Sequence, residues 1–217
     1  MTNKNKIEIK HVTITMLMGT IMICAFLGMD YFMSFFFHRG KTFWQPSLPW
    51  DNSIPVLPVW VWVYILYYPL CLLPLAWKEF RKNKIIFQRT IAGFLLISLI
   101  SYLFFGLVSS QMIRPKIQTA DISSITLFWL YKLDPGFNIF PSLHVAYVSY
   151  IACIAWKLHK KITSVLIWIT CLLIGASTLF VKQHYLLDLP AGLVVGVSGY
   201  YIAFLFVKLI PKNVIKY

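Results

Sequence analysis

The chain has 217 residues, 59% of them hydrophobic, 17% aromatic and only 12% charged, with a mean hydropathy of +0.72; this usage excludes an ordinary water-soluble domain and describes a membrane protein. The net charge of +13 would suit a nucleic-acid partner, but its distribution, described below, argues against one. All four cysteines (Cys24, Cys71, Cys153 and Cys171) lie inside apolar runs, spaced too irregularly for a zinc ribbon and too deep for an extracellular disulfide framework, so they read as packing residues.

Six apolar segments of about the length a bilayer core demands, roughly 20 residues each, follow one another at 12–36, 56–77, 91–112, 143–158, 162–181 and 189–210. They predict an all-α polytopic membrane protein, a six-transmembrane-helix bundle forming a single domain over 1–217. The first segment follows Lys4, Lys6 and Lys10 but ends in "MDYFMSFFFHRG". It is longer than a signal-peptide core and has no small-residue cleavage site, so it reads as a retained helix. The second carries Pro58, Pro69 and Pro74, which membrane helices tolerate, and a kink is expected near Pro69. Between the third and fourth lies "DISSITLFWLYKL", residues 121–133, expected as a short interfacial helix, followed by "DPGFN", in which Asp134 and Asn138 shape a turn. The sixth carries Gly192, Gly196 and Gly199, a spacing that lets a neighbouring helix approach closely.

With the amino terminus placed inside, 14 of the 20 basic residues fall on inner segments: Lys4, Lys6, Lys10, Lys78, Arg81, Lys82, Lys84, Arg89, Lys157, Lys160, Lys161, Lys208, Lys212 and Lys216. Only Arg39, Lys41, Arg114, Lys116, Lys132 and Lys182 fall outside. This is the positive-inside pattern, and it places both termini in the cytoplasm of a multi-pass plasma-membrane protein. The basic charge thus records topology, with some attraction to anionic membrane lipids, and no nucleic-acid partner is expected.

Topology also sorts the remaining polar residues. "QMIRPK" after the third segment, "DPGFNIFPSLH" before the fourth and "STLFVKQHYLLD" between the fifth and sixth all fall on the outer side, where a bundle of helices three to six brings them together. His184 and Asp188 are four residues apart, so on a helix they share one face and the carboxylate can orient the imidazole. The plainer alternative is an interfacial histidine and an aspartate capping the sixth helix. Ser142 is placed to cap the fourth helix, putting Leu143 and His144 in a first turn whose free amides and dipole favour an anion; taken alone, His144 reads equally as a solvated interfacial residue. Together with Arg114 and Lys182, the two histidines form a phosphate site. His184, held by Asp188, is the nucleophile, and His144 gives and takes the proton of the leaving group. Arg114, Lys182 and the amides around Ser142 and Leu143 stabilise the transferring oxygens. No carboxylate pair or cysteine cluster offers a metal site, so no cofactor is expected. Asp30, near the outer end of the first segment, is a functional candidate as an intramembrane acid, with interfacial solvation the simpler reading; His11, His38 and His159 sit at segment ends with no partners expected and are assigned no role, and tyrosines and tryptophans near segment ends read as aromatic belts.

"FPSLHV" and "KQHYLLDLPAG", with "RP" upstream on a six-segment chain, resemble the type 2 phosphatidate phosphatase superfamily of integral membrane lipid phosphatases and phosphotransferases. That pattern runs Lys-x6-Arg-Pro, Pro-Ser-Gly-His, Ser-Arg-x5-His-x3-Asp. Arg114 and Pro115 match the first part, Pro141, Ser142 and His144 the second, and Ser177, His184 and Asp188 the third; through this match Ser177 joins the expected phosphate-binding residues. Leu107, Leu143 and Thr178 stand where the pattern has lysine, glycine and arginine. The Ser-Leu-His form is similar to the branch containing inositol phosphorylceramide synthase, whose relatives include head-group transferases. The resemblance therefore implies a metal-independent lipid phosphatase acting on a lipid phosphate or pyrophosphate through a phosphohistidine. A phosphotransferase is the alternative, and a non-enzymatic lipid-binding or transport protein is the option from another class.

Overall fold

The computed structural model describes residues 3–40, 42–158 and 160–206. Lys41, His159, residues 207–210 of the sixth predicted segment, and Lys208, Lys212 and Lys216 lie outside the described residues, as do the side chains of Lys4 and His38. Every named element is a helix: α1 (Asn3–His38), α2 (Val61–Ile65), α3 (Tyr67–Cys71), α4 (Lys78–Lys82), α5 (Lys84–Val108), α6 (Ile122–Leu133), α7 (Leu143–Lys157), α8 (Lys161–Phe180) and α9 (Asp188–Phe206). Three are long and apolar enough to cross a membrane, over Lys6–Phe36, Lys84–Val108 and Lys161–Phe180.

Side-chain caps set several boundaries. Asn83 accepts from the amides of Ile85 and Ile86 to start α5. Asp121 accepts from Ser124 to start α6, the short helix expected over 121–133. The second predicted segment is the clearest departure, because it does not form one helix. Pro58 opens a 3-10 turn, α2 gives way to α3 at Leu66, and Pro74 sits in another 3-10 turn. Three prolines within the run remove three amide donors, and the chain answers with short pieces where the sequence predicted a single kink.

α7 is the hub. Eleven of its residues, from Leu143 to Ala155, are buried, and it packs against α8, α9, α5 and α3. Glycines permit the tightest of these contacts. A Cβ on Gly192 would collide with the carbonyl of Ser142, and one on Gly196 with Ala146 and Ser149. The Gly-x-x-x-Gly spacing thus presses α9 onto the first turns of α7.

α7 also defines the two ends of the bundle. Near its last turn gather the start of α1, α4 and the start of α8, with Arg81 and Lys82 paired to Glu8 and Lys160 paired to Glu79. His11, expected to lack partners, is buried there, stacked on Phe87 with ring centroids 3.9 Å apart and with Nδ1 2.9 Å from the Arg81 carbonyl. At the other end, the first turn of α7 meets the α8–α9 link, the end of α1 and the 134–141 loop.

Candidate active site

Each segment at this end is held by its own backbone chemistry. Ser142 caps α7, its hydroxyl accepting from the Val145 amide at 3.4 Å, while its own amide donates to the Asp188 carbonyl at 3.1 Å. The starts of α7 and α9 are therefore tied together. The α8–α9 link folds back on α8, with the amides of Gln183 and His184 both donating to the Thr178 carbonyl. Asp51, from the 42–57 segment, accepts from the Leu186 amide and fixes the link from the far side.

These restraints align three side chains. The Asp188 carboxylate lies 3.1 Å from His184 Nδ1, and His184 Nε2 lies 3.2 Å from His144 Nδ1. Asp188 is fully buried, and it also accepts from the Tyr185 amide at 2.9 Å. A carboxylate needs a donor, so the network assigns the His184 proton to Nδ1 and leaves the Nε2 lone pair facing His144. Burial pushes the His184 imidazole down from 6.5 to about 4, outweighing the opposing pull of Asp134, so the ring is neutral near pH 7. The expected His-Asp pair is present, but it does not sit on one helical face. α9 begins at Asp188, and a turn in which the Asp188 amide donates to Tyr185 brings the two side chains together.

Arg114 reaches the same region. Its Nη1 donates to the Asp134 carbonyl, and its Nη2 donates to Asp134 Oδ1 at 2.9 Å and Gln183 Oε1 at 2.7 Å. Tyr131 covers one face of the guanidinium at 4.8 Å. Gly136, at φ +84, passes so close that a Cβ there would lie 3.2 Å from Arg114 Nε, so glycine is required twice, by conformation and by space. Asp134 Oδ1 accepts from the Gly136 amide, the turn role expected of it.

Other expected residues are placed differently. Lys182 donates its ammonium to the carbonyls of Asp51 and Ile54, at 3.2 and 2.7 Å, on the 42–57 segment. Ser177 is buried, with its hydroxyl returned to the Ile174 carbonyl of its own helix. Leu143 supplies an apolar wall and, with His144, a first-turn amide that α7 itself does not use. Asp30 is not solvated at an interface. It is fully buried and accepts from Asn138 Nδ2 at 3.1 Å. The reason is that the end of α1 packs over the 134–141 loop, covering the position that its place in the sequence left open.

A cavity of about 310 Å3 lies between these groups. Its polar wall is His144, His184, Gln183, Asp134 and Asn138; its apolar wall comes from α1 (Met22, Phe26 and Leu27), from Leu130 and Leu133 of α6, and from Tyr64 and Tyr67. The last two hold His144 between them, ring centroids 4.7 and 4.3 Å away. Sequence reasoning missed both tyrosines, as it missed Gln183, whose amide nitrogen is buried without a partner. The available signals were Tyr64, Tyr67 and Tyr68, grouped in the middle of the second apolar segment, and an uncharged amide set between Lys182 and His184. His144 Nε2 is likewise buried without a partner, as is Arg114 Nε, whose side chain does not line the cavity. Unused polar nitrogens on the cavity wall, those of Gln183 and His144, are what an anionic ligand would satisfy. Among the described residues, no group of three or more His, Cys, Asp or Glu is placed to hold a metal ion.

A family model described as PAP2 superfamily matches residues 41–202. No curated protein and no solved structure matches the chain.

Proposed function

The chain belongs to the PAP2 superfamily, whose members are generally phosphatases or phosphotransferases, and from that premise we propose that it cleaves the phosphate ester of a membrane lipid through a phosphohistidine on His184. The observation that carries the reading is the unbroken line Asp188, His184, His144, at 3.1 and 3.2 Å. Asp188 keeps the proton on Nδ1, so Nε2 attacks phosphorus as the P–O bond to the leaving alcohol breaks. His144, entering as imidazolium beside the bound anion, gives its proton to the departing oxygen. An incoming water, or an alcohol in a transferase, returns a proton to His144 as its oxygen takes phosphorus from His184. Hydrolysis and transfer share the first half of this sequence.

The amides of Leu143 and His144, at the positive end of α7, are suited to the developing charge on the phosphoryl oxygens. Arg114 orders Gln183 and Asp134 around the site, Ser142 locks α7 to α9, and Lys182 ties the α8–α9 link to the 42–57 segment. No step needs a metal or an organic cofactor. A site beside an apolar cavity selects substrates whose tails lie in the bilayer.

We further propose that the six apolar segments form one membrane unit, the second crossing as a broken helix. The histidine end faces outward, and both termini face the cytoplasm of the plasma membrane. The separation of the basic end of α7 from its histidine end supports that orientation.

The test is diacylglycerol or inorganic phosphate release by the purified protein from a panel of lipid phosphates and phospholipids, with a metal chelator present and with or without an alcohol acceptor. Turnover that survives the chelator and is lost in His184→Ala supports the reading. Tight lipid binding with no turnover on any lipid would leave only the non-enzymatic role.

A further inference from the structure

We infer that α1 and α5 form a slot for one hydrocarbon tail of the substrate, closed at its inner end by Met22 and Tyr102, and that α1 thereby sets the length of tail accepted. The inference rests on the reading above that a lipid ester binds beside His184, and it extends that reading from the phosphate to the tail. It comes from how far the cavity runs beyond the histidines. From Asp30, which holds the end of α1 against Asn138, Met22 lies ~12 Å down the helix at ~1.5 Å per residue. Met22 and Phe26 line the cavity over that distance, together with Tyr102 and Phe105 of α5 and Tyr147 of α7. α1 also precedes residues 41–202, the part of the chain that matches the family, so this wall lies outside what the match covers.

The inner end is suited to hydrocarbon. The Tyr102 hydroxyl donates to the Met22 carbonyl at 2.9 Å, stitching α5 to α1, and the Tyr147 hydroxyl is paired with Ser98 at 2.7 Å. Both hydroxyls are thus engaged within the protein, and an apolar cavity stays dry. Phe26 stands edge-on to Phe105, ring centroids 6.2 Å apart. One turn further along α1, Met18 packs on the core and no longer lines the cavity, which ends the slot. Its volume of about 310 Å3 is that of about ten waters at ~30 Å3 each. A methylene takes nearly the same space as a water, so one chain of about ten carbons fits and a second does not.

The slot also has a way in. Ile23 and Tyr31 on α1, Tyr68 on α3 and Leu133 on α6 line the cavity and are exposed as well, so between α1 on one side and α3 and α6 on the other the cavity reaches the outer surface of the bundle. Those side chains are apolar or aromatic, as a face turned to lipid requires. A tail can leave the bilayer sideways through this mouth while its head group reaches His144 and His184. Moving a methylene from lipid into the slot gains packing contacts rather than hydrophobic free energy, because both surroundings are apolar. Selection by length follows: a short tail leaves the inner end empty, and a long one meets Met22 and Tyr102.

The experiment photolabels the full-length protein in detergent micelles with single-chain lysophosphatidates, decanoyl or myristoyl, carrying a diazirine either near the head group or on the last chain carbon, and maps the labelled residues by mass spectrometry. The expected result for the decanoyl probes is head-end label at Tyr64, Tyr67 or His144 and tail-end label at Met22, Phe26 or Tyr102, in the wild type and in His184→Ala alike. Tail-end label from the myristoyl probe is expected away from those last three residues, because its end has no room beyond Met22. Met22→Trp fills the inner end and is expected to cut decanoyl tail-end label at least ~10-fold. Phe26→Ala removes a ring from the wall and is expected to admit the myristoyl end; the two variants move the length preference in opposite directions, so the inference is tested even if one of them does not fold. Head-end label beside the histidines with the decanoyl tail end on exposed residues such as Leu17 and Leu99 overturns this inference and leaves the lipid-ester reading standing. No head-end label beside the histidines overturns that reading, and this inference falls with it.

Discussion

Where α1 begins, charges meet in the open: Glu8 with Arg81 and Lys82, and Glu79 with Lys160, on side chains that keep a quarter or more of their surface exposed. Where α7 begins, Asp30, Asp188 and His184 are buried with almost no solvent, and several polar atoms have no partner at all. Exposed pairs add little to stability because water serves them nearly as well. Buried polar groups cost free energy unless a partner or ligand satisfies them. Among the described residues, Arg89 Nε and Glu79 Oε2 also lack hydrogen bonds near the other end, but only at the start of α7 do such atoms, Gln183 Nε2 and His144 Nε2, belong to side chains that line the cavity.

The comparison breaks most visibly at Asp188. Asp188→Asn keeps the size of the side chain but ends the demand for a proton on His184 Nδ1. Lipid cleavage is expected to fall a hundredfold or more, about 3 kcal/mol of barrier. The corresponding change at the basic end, Lys160→Ala, is expected to leave the rate intact. Comparable losses in the two variants would mean that the ends do not differ in function.

Gly192→Val tests the packing beneath the histidine end, since its side chain must displace the Ser142 carbonyl. A loss of about 1–3 kcal/mol in stability is expected, read as a lowered Tm in detergent and accompanied by reduced turnover because Ser142 carries the start of α7.

The His184 imidazole, held at about 4 against an ordinary 6.5, gives a pH signature. The folded state keeps this ring neutral while the unfolded chain takes up a proton, so the contribution of His184 to stability is full above 6.5 and is lost as pH falls from 6.5 toward 4. The acid limb of turnover that reports His184 is expected near 4. A limb at the ordinary histidine value would mean that the ring is solvated. Smallest of all, Lys160→Ala is expected to change stability by less than about 1 kcal/mol, measured by the same unfolding assay.

Much of the histidine end was legible in the sequence because its chemistry is local. Ser142 reads as a cap from its place before an apolar run, and the 121–133 helix reads from Asp121 and its aromatic pattern. The four-residue spacing of His184 and Asp188 identified the pair, although a turn rather than a helix joins them, since spacing alone does not distinguish the two. What was not legible depends on contacts between distant segments. Lys182 looks like a phosphate ligand until the carbonyls of Asp51 and Ile54 are seen beside it. Asp30 looks interfacial until Asn138 closes over it. Tyr64 and Tyr67 become walls of the His144 site only because prolines break the second segment into short pieces.

The central claim is the covalent bond between His184 and phosphorus. Its most direct measurement is rapid mixing of the protein with a phosphorus-labelled lipid, a quench in base, where phosphohistidine survives, and mapping of the labelled residue by mass spectrometry. The expected result is label on His184 in the wild type, slower labelling in a His144→Ala protein, which lacks the proton donor to the leaving oxygen, and none in His184→Ala. Turnover by the wild type with no label on His184 at any quench time would contradict the account.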